Sequence, residues 1–183
     1  MFAKISLCII FILLIFFYRT HLPGLKLATT ITGKPINYAK PPPAHWNRGK
    51  YSIFVDYSRS IDSIRFWLIS NTSHDTLIKS TCTHGCQSGF LYASDFSNQP
   101  ESHKSSLGEY IIAEKYIGKF GRSIRLDGIS EELNSNARSR NIVIHSTKKL
   151  RTRWSWGCFA ISESALDAIF NMDLKGSVLY AYK

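Results

Sequence analysis

The chain has no Cys-x-x-Cys pair, no internal repeat and no low-complexity tract beyond Pro41-Pro42-Pro43, and it is short of acids, with 13 Asp and Glu against 23 Lys and Arg. Each shortage excludes a class. Without paired cysteine knuckles a ribbon-type or finger-type zinc module is disfavoured, and without a repeat the stacked solenoids are out. The net charge of +10 invites a nucleic-acid partner, but no nucleic-acid motif accompanies it. A basic surface serves any carboxylate-rich substrate equally well.

An apolar run long enough to span a bilayer is also missing. Ile5 to Tyr18 is nearly unbroken apolar sequence, flanked by Lys4 and Arg19, but it is only 14 residues long. A spanning helix needs about 20 such residues, so the run suits the core of a signal peptide; an uncleaved membrane anchor is the alternative. We expect residues 1–21 to be this export segment and residues 22–50, rich in Pro, Gly, Lys and Thr, to be a linker. Residues 51–183 then form one catalytic-size domain.

Within that domain, short β-rich runs alternate with turn clusters: Ser52 to Tyr57, Ser63 to Ser70, Gly108 to Tyr116, Ser123 to Leu126, Arg140 to Ser146 and Gly176 to Tyr182. They predict a mainly β protein of mostly antiparallel sheet. One helix is expected after Ser162, which can cap it, with Glu163 at its positive end and Leu166, Ile169 and Phe170 on one face.

The chemistry concentrates late in the chain. His145 ends the β-forming run Asn141-Ile142-Val143-Ile144, and twelve residues separate it from Cys158 in the word Ser155-Trp156-Gly157-Cys158. A thiol becomes a strong nucleophile once a neighbouring imidazole can take its proton, and the glycine before it allows a tight turn that aims amide N–H groups at an oxyanion. The same residues also suit a buried structural cysteine and a core histidine.

The other cysteines are ambiguous. Cys8 falls in the export segment, while Cys82 and Cys86 bracket Thr83-His84-Gly85. These two can be free, packed thiols, a disulfide that needs a turn to bring them within reach, or zinc ligands together with His84. No metal site or cofactor is assigned.

The surrounding words settle which chemistry to expect. Phe96 to Gly108, Gly118-Lys119-Phe120-Gly121, Arg125-Leu126-Asp127-Gly128, Asn136 to Arg140 and Ser155 to Cys158 resemble the murein L,D-transpeptidase catalytic domain family, a branch of the YkuD-type cysteine transpeptidases. The likeness runs from about Tyr51 to the C-terminus. It implies a β-rich transpeptidase fold, Cys158 as nucleophile, His145 as base, and the carbonyl of Ser146 as the group that orients the imidazole. Ser155, Trp156 and Gly157 would form the nucleophile loop. Arg138, Arg140, His103, Lys104, Ser105, Ser106 and Gly108 would lie on the substrate side.

The resemblance also places Cys86 at a variable position, with His84, Gly85, Ser88 and Gly89 matching a His-Gly-x-x-Ser-Gly element. Ser146, Phe159 and Phe120 stand where the branch usually has glycine, proline and histidine. The implied partner is a peptidoglycan stem peptide, met by an exported, periplasmic or envelope-bound monomer with no nucleic-acid role. Two alternatives remain: a carboxypeptidase or endopeptidase on the same scaffold, and a non-catalytic peptidoglycan-binding module.

Overall fold

A computed structural model describes residues 49–183, all of which fall within one compact unit; the expectations for residues 1–21 and for all but the end of the 22–50 linker lie outside the described residues. Eight strands form one sheet: β1 Tyr51–Asp56, β2 Phe66–Ser70, β3 Thr76–Ser80, β4 Gly108–Gly118, β5 Gly121–Gly128, β6 Val143–Ser146, β7 Phe159–Ile161 and β8 Val178–Tyr182. Their order is β3-β2-β1-β8-β4-β5-β6-β7. Only the β1/β8 and β6/β7 pairs are parallel, so the expected antiparallel, mainly β architecture is what the chain adopts.

All six expected strands are present with small shifts at their ends, and β3 and β7 are additional. Among the described residues two short α-helices occur, α1 Glu131–Asn134 and α2 Glu163–Phe170, with one 3-10 turn at Thr147–Lys149. The second is the expected helix, with the Ser162 hydroxyl accepting from the Ala165 N–H.

The sheet curls until its two edges meet. Cys82, two residues beyond β3, bridges Ile161 on β7, and the Thr83 N–H donates to the Ala160 carbonyl at 2.9 Å. Pairing the edges removes exposed ladder groups. Inside lie Ile53, Val55, Phe66, Leu68, Ile112, Ile124, Leu126, Ile144, Leu179 and Ala181, and Phe159 packs edge-on to Tyr110 and stacks with Tyr57. The closure brings the segment after β3 alongside the loop that carries Cys158, so that residues 82–86 form one wall of the candidate site.

Candidate active site

His145 is set by the strand on each side of it. It pairs with Ser123 on β5 and with Ala160 on β7, and its side chain is 1% exposed. Its Nδ1 lies 2.9 Å from the Ser146 carbonyl oxygen. A carbonyl can only accept, so Nδ1 carries the proton and Nε2 is left with its lone pair, the form a general base needs. Burial holds the imidazole below its ordinary pKa, opposed in part by that same hydrogen bond, which keeps the ring neutral at pH 7. Phe120, at the tip of the β4–β5 hairpin, lies flat on the ring with centroids 4.5 Å apart.

Cys158 sits two positions before Ala160, the partner of His145. With a rise of roughly 3.3 Å per residue and strands about 4.8 Å apart, the two Cα atoms are about 8 Å apart, within reach of the two side chains. No hydrogen bond joins them among the described residues; the thiol instead donates to the Asn141 carbonyl at 3.5 Å. Burial pushes the Cys158 thiol up to about 11, against smaller lowering effects of a Val143 backbone hydrogen bond and of Arg140. The resting pair is therefore a neutral imidazole and a neutral thiol, not an ion pair.

The loop before Cys158 is fastened from two sides. The Ser155 hydroxyl donates to the Cys158 carbonyl at 2.7 Å and accepts from the Gly157 N–H at 3.2 Å. That engages the amide of Gly157, one of the N–H groups near the thiol. Gly157 has φ +109°, and a Cβ there would stand 2.6 Å from the Lys104 carbonyl oxygen.

From the other side, Ser155 N–H donates to the His84 carbonyl, Cys86 N–H to the Ser155 carbonyl, and the Thr83 hydroxyl to the Cys158 carbonyl. The Thr83 to Cys86 word is thus a scaffold for the nucleophile loop. His84 is fully buried, accepting at Nδ1 from Arg65 at 3.0 Å and donating from Nε2 to the Gly89 carbonyl at 3.0 Å. With both nitrogens engaged it has no donor for zinc. Cys82 and Cys86 are free thiols, the first buried and pushed up to about 12 by burial, the second exposed.

The residues expected on the substrate side divide into three groups. His103 and Trp156 stack with centroids 4.7 Å apart, and Trp156 is 69% exposed two residues from the nucleophile, so this pair faces solvent at the site's rim. Ser105, Ser106 and Gly108 are buried. Ser105 Oγ accepts from Gly85 N–H, Ser106 Oγ meets the Tyr110 hydroxyl, and Gly108 packs against Ser130, so all three belong to the wall and not to its surface.

Arg140 joins that wall. Its guanidinium donates to the carbonyls of Ser97 (2.7 Å) and Lys104 (2.6 Å) and to the hydroxyls of Ser102 and Ser106. The Lys104 ammonium pairs with Asp95 at 2.5 Å. Arg138 lies in an exposed ion-pair cluster with Asp127 and Glu114, on strands β5 and β4.

A family model of the L,D-transpeptidase catalytic domain matches residues 32–182. The chain belongs to this family. No curated protein matches it. Solved structures similar to this L,D-transpeptidase domain include the L,D-transpeptidase of Stackebrandtia nassauensis, 14% identical over 79% of this chain and 62% of that one, with TM-score 0.46. Another is the L,D-transpeptidase (residues 123–326) of Xylanimonas cellulosilytica, 11% identical over 79% and 65%, TM-score 0.44. L,D-transpeptidase 1 of Mycobacterium tuberculosis is 12% identical over 72% and 60%, TM-score 0.42. The L,D-transpeptidase domain described here thus spans less than two thirds of each of these chains.

Three groups at this candidate site escaped sequence reasoning. Arg65, 0% exposed, donates from Nε to the Cys82 carbonyl at 2.6 Å and reaches His84 from the turn just before β2. Asn141, at φ +55°, presents its carbonyl to the thiol through a backbone turn that composition does not announce. Phe120 did carry a signal, because it replaces a histidine in an otherwise matched word.

Proposed function

We propose that this domain is a cysteine-dependent L,D-transpeptidase that joins peptidoglycan stem peptides. The observation that carries the reading is the His145 Nδ1 hydrogen bond to the Ser146 carbonyl, which leaves an unprotonated Nε2 one strand away from Cys158. When a stem peptide enters, Nε2 takes the thiol proton as sulfur attacks the carbonyl of the third residue, a diamino acid acylated through its L-centre to a terminal D-residue. The oxyanion meets the N–H of Cys158. Collapse breaks the C–N bond, the proton on His145 passes to the departing amine, and a thioester remains. An amine from a second stem then gives its proton to His145, attacks the thioester, and returns the thiol to Cys158.

A neutral pair suits this sequence, because the thiolate forms only when an acyl group is present to receive it. The exported setting completes the proposal: residues 1–21 direct or anchor the chain, residues 22–50 tether it, and the domain works on the wall as a monomer.

The test is intact mass spectrometry of the chain incubated with a tetrapeptide stem or a carbapenem, followed by peptide mapping. An adduct on Cys158 that is absent in Cys158→Ala and slowed at least a hundredfold in His145→Ala is the expected result. An adduct on Cys86, or none on folded protein, overturns it. Product analysis with and without an acceptor amine separates cross-linking from carboxypeptidase action.

A further inference from the structure

A row of aromatic rings starts beside the nucleophile and takes no part in the chemistry above. Ser155 bridges Gly85 and turns its side chain inward, so Trp154 and Trp156 on either side of it project the other way, roughly 7 Å apart. Each meets a ring from the adjoining wall. His103 covers one face of Trp156, at 4.7 Å between centroids, and leaves the indole largely exposed. Phe90, 65% exposed, leans on Trp154 at 5.3 Å, and the Trp154 Nε1–H donates to the Phe90 carbonyl at 2.9 Å. Apolar side chains scattered singly over a surface are ordinary, but contiguous rings stacked before any ligand arrives mark a binding surface. The surroundings do not suit an acidic ligand: Arg153, 6.0 Å from the Trp154 ring, is held by Asp62, and the Glu101 carboxylate lies 3.8 Å from His103. What the row offers is electron-rich ring faces, which attract the weakly positive C–H groups on the face of a sugar ring.

We propose that this row binds the glycan strand carrying the donor stem, a neutral chain of N-acetylated amino sugars, an inference that rests on the transpeptidase reading above. The reach agrees. The carbonyl attacked by Cys158 belongs to the third stem residue, and three extended residues span about 10 Å back to the sugar. Trp156, two residues from Cys158, lies within roughly 7 Å of it along the chain, and Trp154 is one similar step farther, so the sugar falls on the row. One sugar lies on the open face of Trp156 and the next on Trp154 and Phe90. A bilayer or a second protein seated on these rings would cover the rim of the site as well, whereas a part of the substrate leaves the thiol accessible to the stem. Because His103 already fixes the Trp156 ring, little side-chain freedom is lost on binding. Trp154 and Trp156 are thereby specificity residues for the donor.

The first probe is a tetramer of β-1,4-linked N-acetylglucosamine, which has the acetamido sugar and no stem, titrated into Cys158→Ala protein by NMR. Saturable shifts at Phe90, His103, Trp154 and Trp156 are expected, and Trp156→Ala should weaken binding by about tenfold or more. Shifts elsewhere, or none, overturn the proposal. Partition of the protein into phosphatidylcholine vesicles, or self-association abolished by Phe90→Ala, without any response to the sugar would give the row to a membrane or to a second copy and would equally overturn it. In the reaction itself, kcat/KM for thioester formation should be about tenfold higher with a disaccharide-linked tetrapeptide than with the free tetrapeptide, the gain appearing in KM. Trp156→Ala and, at the far end of the row, Phe90→Ala should each bring that ratio toward one. The two substrates are compared on one protein, so any disturbance of the Cys158 loop cancels in the ratio. A ratio of one in wild type, or one that survives both substitutions, refutes the assignment. Failure of wild type to form a thioester from either substrate would instead sink the transpeptidase reading, and the sugar titration would still decide the row.

Discussion

The ring of Phe120 lies on the imidazole of His145, with 4.5 Å between centroids and 16° between planes. The hairpin tip that carries Phe120 turns at Gly121, whose φ of +77° lets the chain reverse and bring the ring back over β6. This contact withholds water from one face of the proposed base. It adds to the burial that keeps His145 neutral.

Phe120→Ala should therefore move the pH at which acylation reaches half its maximum upward. The lowered pKa of His145 arises from burial, so admitting water restores part of the charged form's solvation and raises the pKa. The rate limb follows deprotonation of the base, and it shifts in the same direction. A pH–rate profile of carbapenem acylation is the measurement; a fall in rate with an unmoved limb would assign Phe120 to substrate contact alone.

How much of this was legible beforehand follows from what kind of contact each part rests on. His145 and Cys158 could be found because a strand ending in histidine and a Gly-Cys turn are local patterns, and their neighbours matched whole words. The six expected strands carried runs of β-formers. β7 is three residues, Phe159–Ile161, too short for any alternation to register. β3 has a mostly exposed Thr-Leu-Ile-Lys-Ser pattern that reads as loop. The scaffold role of Thr83 to Cys86 was illegible for a different reason. It depends on edge closure between Cys82 and Ile161, a contact across 79 positions that no local period encodes. Arg140, expected on the substrate side, has its two terminal nitrogens held by four acceptors in the 97–106 segment, a network no local pattern announces.

Thiol chemistry should separate general-base assistance from a preformed ion pair. With Cys158 pushed up to about 11, its thiolate fraction at pH 7 is of the order of 10⁻⁴. Iodoacetamide should label exposed Cys86 first, and its rate at Cys158 should climb about tenfold per pH unit from 7 to 9. Acylation by a carbapenem should instead level off once His145 is neutral. A plateau in both reactions at neutral pH would mean that the thiolate already exists at rest.

Gly157→Ala should disable the site while leaving most of the fold. The position combines φ +109° with a backbone oxygen 2.6 Å from any added Cβ, and backbone cannot swing aside as a side chain end can. Strain of this kind costs about 1–3 kcal/mol. The loop would relieve it by pulling Cys158 out of line with His145, which is fixed opposite Ala160. We expect a loss of at least tenfold in acylation and a lowered Tm, both measurable on the same preparation; unchanged acylation would show that the loop's shape does not govern the nucleophile.

The buried pair Arg65–His84 should make the domain sensitive to acid. Arg65 has no acceptor role, so His84 Nδ1 must stay unprotonated to receive its N–H. Burial is the main cause of a His84 pKa lowered to about 4, with Arg65 adding to it against the Gly89 hydrogen bond. In the unfolded chain the ring titrates near 6.5, so between pH 6.5 and 4 the unfolded state binds more protons. Stability therefore rises with pH across that window and is lost on acidification, by up to about 3 kcal/mol from this residue. Urea titrations at pH 7.5, 5.5 and 4.5 should show the loss, and His84→Gln should flatten it. Because the His84 carbonyl holds the Ser155 N–H at 3.0 Å, the nucleophile loop should loosen before the sheet does. Acylation measured at pH 5.5 should then fall further in wild type than protonation of His145 alone accounts for, and equal falls in wild type and His84→Gln would refute the link.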